Sequence, residues 1–246
     1  MNIAIILAGG FGSRIGSSVP KQFIEILGKP VMAYTLELFQ SHPLIDIIEI
    51  VCPTDSKIKI QNILDEYDIN KAKWFAESGA TFQQSTINGI FALKDKVKDD
   101  DIVVLTSASS PMLTHEIISD SIKVCQEHGN AVAANEMILC TGIKDNEYCS
   151  STGILRESLI GFNFPWTFRY DLVCSVYEKA IKTGDIDRLE PHTTSVLLEY
   201  GYTIYFSKSS TSNIKITHKE DLDLFEGLLL LREKRLNEST VLEDVN

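Results

Sequence analysis

The apolar run Asn2-Ile3-Ala4-Ile5-Ile6-Leu7 opens directly into Ala8-Gly9-Gly10-Phe11-Gly12-Ser13-Arg14. A short apolar run that ends on glycine predicts a strand buried on both faces, as in the middle of a parallel sheet. Gly9, Gly10 and Gly12 permit a tight, side-chain-free turn whose backbone N–H groups face anionic oxygens. Arg14 and Lys21 follow as spaced cations. Arginine forks onto phosphate oxygens and stays protonated, while lysine brings a compact charge on a flexible stem. Strand, glycine turn and cations together suit a triphosphate; the glycines alone would equally serve a plain strand-to-helix turn.

Two familiar phosphate loops fail on spelling. A Walker loop ends in Gly-Lys-Ser/Thr, but the nearby Gly-Lys is Gly28-Lys29-Pro30, and proline after it cannot continue that pattern into a helix. A dinucleotide fingerprint needs Gly-x-Gly-x-x-Gly and an acidic residue closing the second strand. Here Gly10, Gly12 and Gly16 are spaced differently and the second strand ends Ile50-Val51-Cys52-Pro53. An NAD(P)-dependent reductase therefore stands only as a minor alternative.

The 246 residues are 44% hydrophobic, enough for one large α/β domain with a packed core, and no linker divides them. A net charge of -11 argues against nonspecific nucleic-acid or anionic-membrane binding, so cations must be concentrated at a site. Neither a basic leader nor an apolar run of membrane length is present, which gives a cytoplasmic expectation. Cys52, Cys125, Cys140, Cys149 and Cys174 lack Cys-x-x-Cys spacing and read as reduced thiols. The histidines at 42, 115, 128, 192 and 218 are equally dispersed and read as structural or solvated.

Apolar runs predict strands at 2–7, 47–52, 72–76, 102–106, 130–134 and 202–206. Helical periodicity occupies about 31–41, 56–67, 82–95, 114–128, 169–183, 192–200 and 218–235. This alternation predicts an α/β fold: a Rossmann-like, mostly parallel sheet with helices on both faces. Residues 137–168 break the rhythm with short β-like pieces around Lys144-Asp145-Asn146-Glu147 and read as a projecting β-arm. An isolated two-stranded ribbon is marginal, so docking in a homodimer is expected. The tail 237–246 is polar and acidic and reads as frayed. In open parallel sheets ligands bind beyond the carboxyl ends of the strands, which singles out loops 8–21, 77–86, 106–112, 135–144 and 207–217.

Leu7-Ala-Gly-Gly-x-Gly-Ser-Arg14, Pro20-Lys21-Gln22-Phe23, Gly28-Lys29-Pro30, Asn213-Ile214-Lys215-Ile216-Thr217 and Asp221-Leu222 together resemble the CTP-dependent cytidylyltransferases. The 2-C-methyl-D-erythritol 4-phosphate and ribitol-5-phosphate enzymes belong to that group. The resemblance covers nearly the whole chain and implies a nucleotidyltransferase fold, CTP and Mg²⁺ as ligands, and a homodimer joined by the arm. It implies that Leu7, Ala8, Gly9, Gly10 and Gly12 surround the CTP phosphates, and that Arg14, Lys21 and Lys215 stabilise charge at the α-phosphate. Gly79 and Ser85 fall where the family contacts cytosine and ribose, and Ala108 matches a backbone contact. Thr141 and Arg156 hold arm positions that reach the acceptor phosphate of the neighbouring subunit.

The departures lie on the acceptor side. Thr106-Ser107-Ala108-Ser109-Ser110-Pro111 stands where the family has His-Asp-Ala-Ala/Val-Arg-Pro, so Ser107 and Ser110 replace an acidic and a basic side chain. Phe164-Pro165-Trp166 replaces Thr-Pro-Gln, Pro191-His192 replaces a Thr-Asp pair, and Phe82 replaces an arginine. A kept nucleotide half and a rewritten acceptor half point to CMP transfer onto a phosphorylated small molecule other than methylerythritol phosphate. A link to surface polysaccharide synthesis fits that reading. The rival is a homologue that binds nucleotide without turnover.

Overall fold

A computed structural model describes residues 1–243 except Phe11, Ser13, Arg14, Ser17 and Ser18, and only the backbone of 236–243. Its centre is β1 (Asn2–Leu7), flanked in parallel by β4 (Ile47–Cys52) and β6 (Ile102–Ser107). Side chains alternate across a strand. Ile3 and Ile5 therefore join one core while Ala4 and Ile6 join the other. The first core packs the sheet on α3 (Phe82–Ala92), α5 (Tyr170–Thr183) and α6 (Thr193–Glu199) through Ile87, Val173, Tyr177 and Leu197. The second packs it on α1 (Val31–Ser41), α2 (Lys57–Glu66) and α4 (His115–His128) through Leu36, Phe39, Ile60 and Ile118. Each fully buried aliphatic or phenyl group contributes about 1.5–3 kcal/mol, so both helical layers are held firmly.

With β2 (Glu25–Ile26) and β3 (Lys29–Pro30) forming a separate two-stranded ribbon, the main sheet is completed by β5 (Ala72–Glu77), β7 (Asn130–Glu136), β10 (Ile160–Arg169) and β11 (Phe206–Ser207). Seven strands run in the order β11-β7-β10-β6-β1-β4-β5. β10 is antiparallel to both neighbours, β6 and β7. Sequence reading placed residues 160–168 inside the projecting arm, and the structure puts them in the middle of the sheet. Pro165 explains the difference. It has no N–H for a ladder, and it sits where the β10–β7 register breaks between Asn163 and Trp166, where none is needed.

What lies outside the sheet in this region is a ribbon of β8 (Thr141–Ile143) and β9 (Thr152–Ile154), with Ile138, Leu139, Tyr148 and Leu155 exposed around it. The expected strand at 202–206 is also shorter. Only Phe206 and Ser207 pair with β7, because the segment before them is held by the Asn130 amide, which donates to the Thr203 carbonyl at 3.0 Å and accepts from Tyr205 N. The last helix, α7 (Glu220–Glu243), passes the expected end at 235 and includes most of the tail read as frayed. Among the described residues no helix is long and apolar enough to cross a membrane, and all five cysteines are free thiols.

Candidate active site

Beyond the carboxyl ends of β1, β5 and β6 lies a cavity of about 310 Å³. Leu7, Gly9 and Gly10 form one wall as β1 runs out into its glycine turn. The turn after β5 and the start of α3 supply Gly79, Thr81, Phe82 and Ser85. Ser107, Ala108 and Ser109 come from the turn after β6, and Lys21 and Lys215 close the cavity from two further segments. Parallel strands thus deliver consecutive loops to one edge of the sheet, as their topology requires.

Local chemistry fixes each wall. The Ala8 N–H donates to the Val51 carbonyl at 2.8 Å, and the Ala8 carbonyl accepts from the buried Gln22 amide at 2.8 Å. Gln22 thereby ties the short helical turn Lys21–Phe23 to the end of β1. Gly12 has φ +66, and a Cβ there would lie 3.1 Å from Lys21 N. Across the cavity the Gly79 N–H donates to Ser85 Oγ at 3.0 Å and Ser85 Oγ donates to the Thr81 carbonyl at 2.9 Å. Thr81 caps α3 by accepting from Gln84 N. The loop folds back so closely that a Cβ on Gly79 would meet Gln84 Cγ at 2.1 Å.

The two lysines come from opposite ends of the chain and meet here. Lys21 Nζ donates to the Ile216 carbonyl at 2.6 Å, and Lys215 Nζ stands 5.0 Å over the Phe82 ring and 5.2 Å over that of Phe164. The Lys215 segment is fastened on two sides. Ile216 N donates to the Ser109 carbonyl at 2.9 Å, and Asn213 Nδ2 donates to the Phe164 carbonyl at 2.6 Å. Among the described residues, no Asp or Glu lines it. A chain of net charge -11 thus offers an anion a cavity whose described charged side chains are two cations.

Other expected positions fall elsewhere. Arg14 lies outside the described residues. Ala8 and Gly12 stand behind the lining, holding it rather than forming it. Ser107 is at the cavity, its hydroxyl 2.9 Å from that of Ser109, whereas Ser110 is buried, its Oγ unpartnered, and does not line it. Thr141 and Arg156 are on the arm and do not reach the cavity within one chain. Thr141 donates to the Leu139 carbonyl, and Arg156 pairs with Glu157 at 3.4 Å. Sequence reasoning gave no task to Gln22, although it sits inside a quoted motif, and noted Phe82 only as a missing arginine.

Mg²⁺, a hard cation, takes oxygen ligands, carboxylates above all where a protein side chain holds it. Among the described residues no group of three or more His, Cys, Asp or Glu could hold one, so the lining does not fit a protein-held metal.

The family model for 2-C-methyl-D-erythritol 4-phosphate cytidylyltransferase matches residues 2–230. The ribitol-5-phosphate cytidylyltransferase of Lacticaseibacillus paracasei is 37% identical over 241 residues, 96% of this chain and 100% of that one. The 2-C-methyl-D-erythritol 4-phosphate cytidylyltransferase of Clostridium novyi is 34% identical over 93% of this chain and 96% of its own. Among solved structures, the 4-diphosphocytidyl-2C-methyl-D-erythritol synthase of Anaerococcus prevotii superposes with a TM-score of 0.80 at 22% identity, covering 94% of this chain and 96% of that one.

Proposed function

Because the chain belongs to the 2-C-methyl-D-erythritol 4-phosphate cytidylyltransferase family, we propose that it transfers CMP from CTP to a phosphorylated small molecule other than methylerythritol phosphate. It is a CTP-dependent nucleotidyltransferase. In the proposed reaction an acceptor phosphate oxygen attacks the α-phosphorus of CTP in line, a new P–O bond forms, and the bond to the β-phosphate breaks to release pyrophosphate. A CDP-linked product remains. The attacking oxygen is already anionic, so no general base is required.

The difficulty is bringing two anions together, and positioning with charge neutralisation supplies most of the rate in such transfers. The convergence of Lys21 and Lys215 on one glycine-lined cavity, with no Asp or Glu among its described lining residues, carries this reading. Lys21, Lys215 and Arg14 are assigned to the α-phosphate and the incoming acceptor phosphate; the glycine turn takes the remaining phosphates through backbone N–H groups. Gly79 and Ser85 are assigned to cytosine and ribose, with Ala108 as a backbone contact. Mg²⁺ would arrive with the triphosphate rather than on protein ligands.

Serine at 107 and 110, where the family has an acidic and a basic side chain, supports an acceptor different from methylerythritol phosphate. The ribitol-5-phosphate relative makes polyol or sugar phosphates, and with them surface polysaccharide synthesis, the natural first trial. A homodimer is part of the proposal: the exposed Ile138, Leu139, Ile143 and Leu155 gain cover if the arm docks on a second copy, which would also bring Thr141 and Arg156 to the neighbouring acceptor site. Pyrophosphate release from CTP and from UTP with a panel of phosphorylated acceptors tests the reading. Release with CTP and at least one acceptor is expected; CTP binding without release would leave a nucleotide-binding homologue.

A further inference from the structure

The half-buried Lys215 is a cation set against rings. Its Nζ stands over two faces, 5.0 Å from the centroid of Phe82 and 5.2 Å from that of Phe164. The two centroids are 6.4 Å apart and the rings are tilted by 48°, so the ammonium is shared between them. A ring face attracts a cation through its quadrupole, most strongly where water is excluded. Both positions are among the departures from the family pattern, Phe82 replacing an arginine and Phe164 a threonine. An arginine at the start of α3 would set a second cation against Lys215, whereas two phenyl faces draw the ammonium in.

The rings are themselves held in place. Thr81 caps α3 and so fixes its first residue, Phe82, whose carbonyl accepts from Thr86 Oγ1 at 3.0 Å. The Phe82 ring meets that of Trp166 in a T-shaped contact at 6.0 Å. Phe164 is buried in the core that α3 shares with the sheet, and its carbonyl accepts from Asn213 Nδ2 at 2.6 Å. One residue thus fastens the Lys215 segment by its backbone and the Lys215 ammonium by its ring. A lysine carries a compact charge on a flexible four-carbon stem, and its tip samples many rotamers unless something holds it. An uncharged partner holds that tip without neutralising it. A carboxylate in the same place would bind more tightly and cancel the charge that two converging phosphates need. Lys21 is held on the same principle, by the Ile216 carbonyl.

We propose that Phe82 and Phe164 form an uncharged seat that aims the Lys215 ammonium at the reacting phosphates, and that Phe82 is a positioning residue for the transfer. The proposal rests on the transferase reading above. Phe82 acts through Lys215: the electrons of its ring, beyond its apolar bulk, set where the ammonium waits. The strength of that attraction therefore governs kcat more than it governs CTP affinity.

The test varies the electrons of the ring while keeping its shape. Phe82 is replaced site-specifically by mono-, di- and trifluorophenylalanine, which weaken the quadrupole stepwise, and by methylphenylalanine, which adds similar bulk without that loss. kcat for pyrophosphate release is read with CTP and the best acceptor of the phosphate panel, and CTP affinity is measured by calorimetry. The NMR signals of the Lys215 ε-methylene, assigned through Lys215→Arg, report the ring-current shift of a side chain lying over two aromatic faces. Upfield-shifted Lys215 signals are expected in the wild type. kcat is expected to fall with each added fluorine, at least fivefold for the trifluoro ring, while CTP affinity and the methyl analogue stay within twofold of the wild type. Phe82→Leu should lower kcat at least tenfold and move the Lys215 signals towards those of a solvated lysine, and Phe82→Tyr should retain both properties. Unshifted Lys215 signals in the wild type, or one kcat across the fluorine series, would overturn the proposal. A wild-type protein that binds CTP and turns over no acceptor would remove the transferase reading instead; Lys215 signals that are shifted and that Phe82→Leu relaxes would still uphold the seat, and unshifted ones would overturn it.

Discussion

Lys21 and Ile216 lie 195 positions apart in the chain, yet the Lys21 ammonium donates to the Ile216 carbonyl at 2.6 Å. That bond locks the exit of the glycine turn to the segment carrying Lys215, so the two cations are set relative to one another before any ligand binds. Preorganised charge of this kind costs no rearrangement at the moment of reaction. Lys21→Ala removes both a cation and this tie. By comparison with loss of one preorganised donor elsewhere, kcat for pyrophosphate release should fall on the order of 10²-fold or more; turnover at the wild-type rate would refute the role given to Lys21.

Asn213 is a positioning residue for Lys215. Its amide bonds the Phe164 carbonyl, while its own carbonyl accepts from Asn163 Nδ2. Asn213→Ala should cost about 1 kcal/mol of stability, the usual net value of such a bond, and should slow turnover through misplacement of Lys215. The check is a double-variant cycle: added to Lys215→Ala, the Asn213 change should slow the reaction no further. Fully multiplicative losses would mean that Asn213 acts independently.

Gly79→Ala should weaken CTP binding at least tenfold. The new methyl would lie 2.1 Å from Gln84 Cγ and 2.9 Å from the Gln84 backbone carbon, and a backbone atom in a capped first helical turn has little room to retreat. The bond from Gly79 N to Ser85 Oγ would be displaced with it. Calorimetric titration with CTP, with thermal melting as a control for folding, measures the effect.

Stability should fall as pH rises through the neutral range because of Glu49. This residue is fully buried in β4 under Gly89 of α3, neither carboxylate oxygen has a hydrogen-bond partner, and burial pushes its pKa from 4.5 up to about 8 against the opposing pull of Lys96. Between these two values the unfolded chain binds fewer protons than the folded one. The stabilisation is thus fully present below about pH 4.5, declines as pH rises, and is gone above about pH 8. Glu49→Gln should flatten this part of the profile and raise the melting temperature at pH 8. Parallel melting curves of the two proteins from pH 5 to 8.5 test it; identical slopes would contradict it.

Much of the scaffold was legible because its signals are local. The Ile-rich runs of β1 and β4, each buried on both sides, and the apolar faces of α1 and α4 announce themselves within a few residues. β10 did not, because Pro165 reads as a breaker and the register break that accommodates it depends on β7, a partner far away in sequence. β11 shrank because the Asn130 side chain, not a ladder, holds the segment before it. The glycine turn, Lys21 and Lys215 were found through motif spelling, but their meeting at Ile216 is a tertiary fact that no window of sequence contains. Gln22 was hidden for the same reason: its amide matters only once the Ala8 carbonyl is beside it.

The most direct measurement is a crystal structure of the protein with CTP bound. The triphosphate is expected between the glycine turn and the two lysines, with Lys21 Nζ and Lys215 Nζ each within about 3.2 Å of a phosphate oxygen and the base against the loop holding Gly79 and Ser85. CTP bound with both ammonium groups turned away from its phosphates, or bound outside this cavity altogether, would contradict the account.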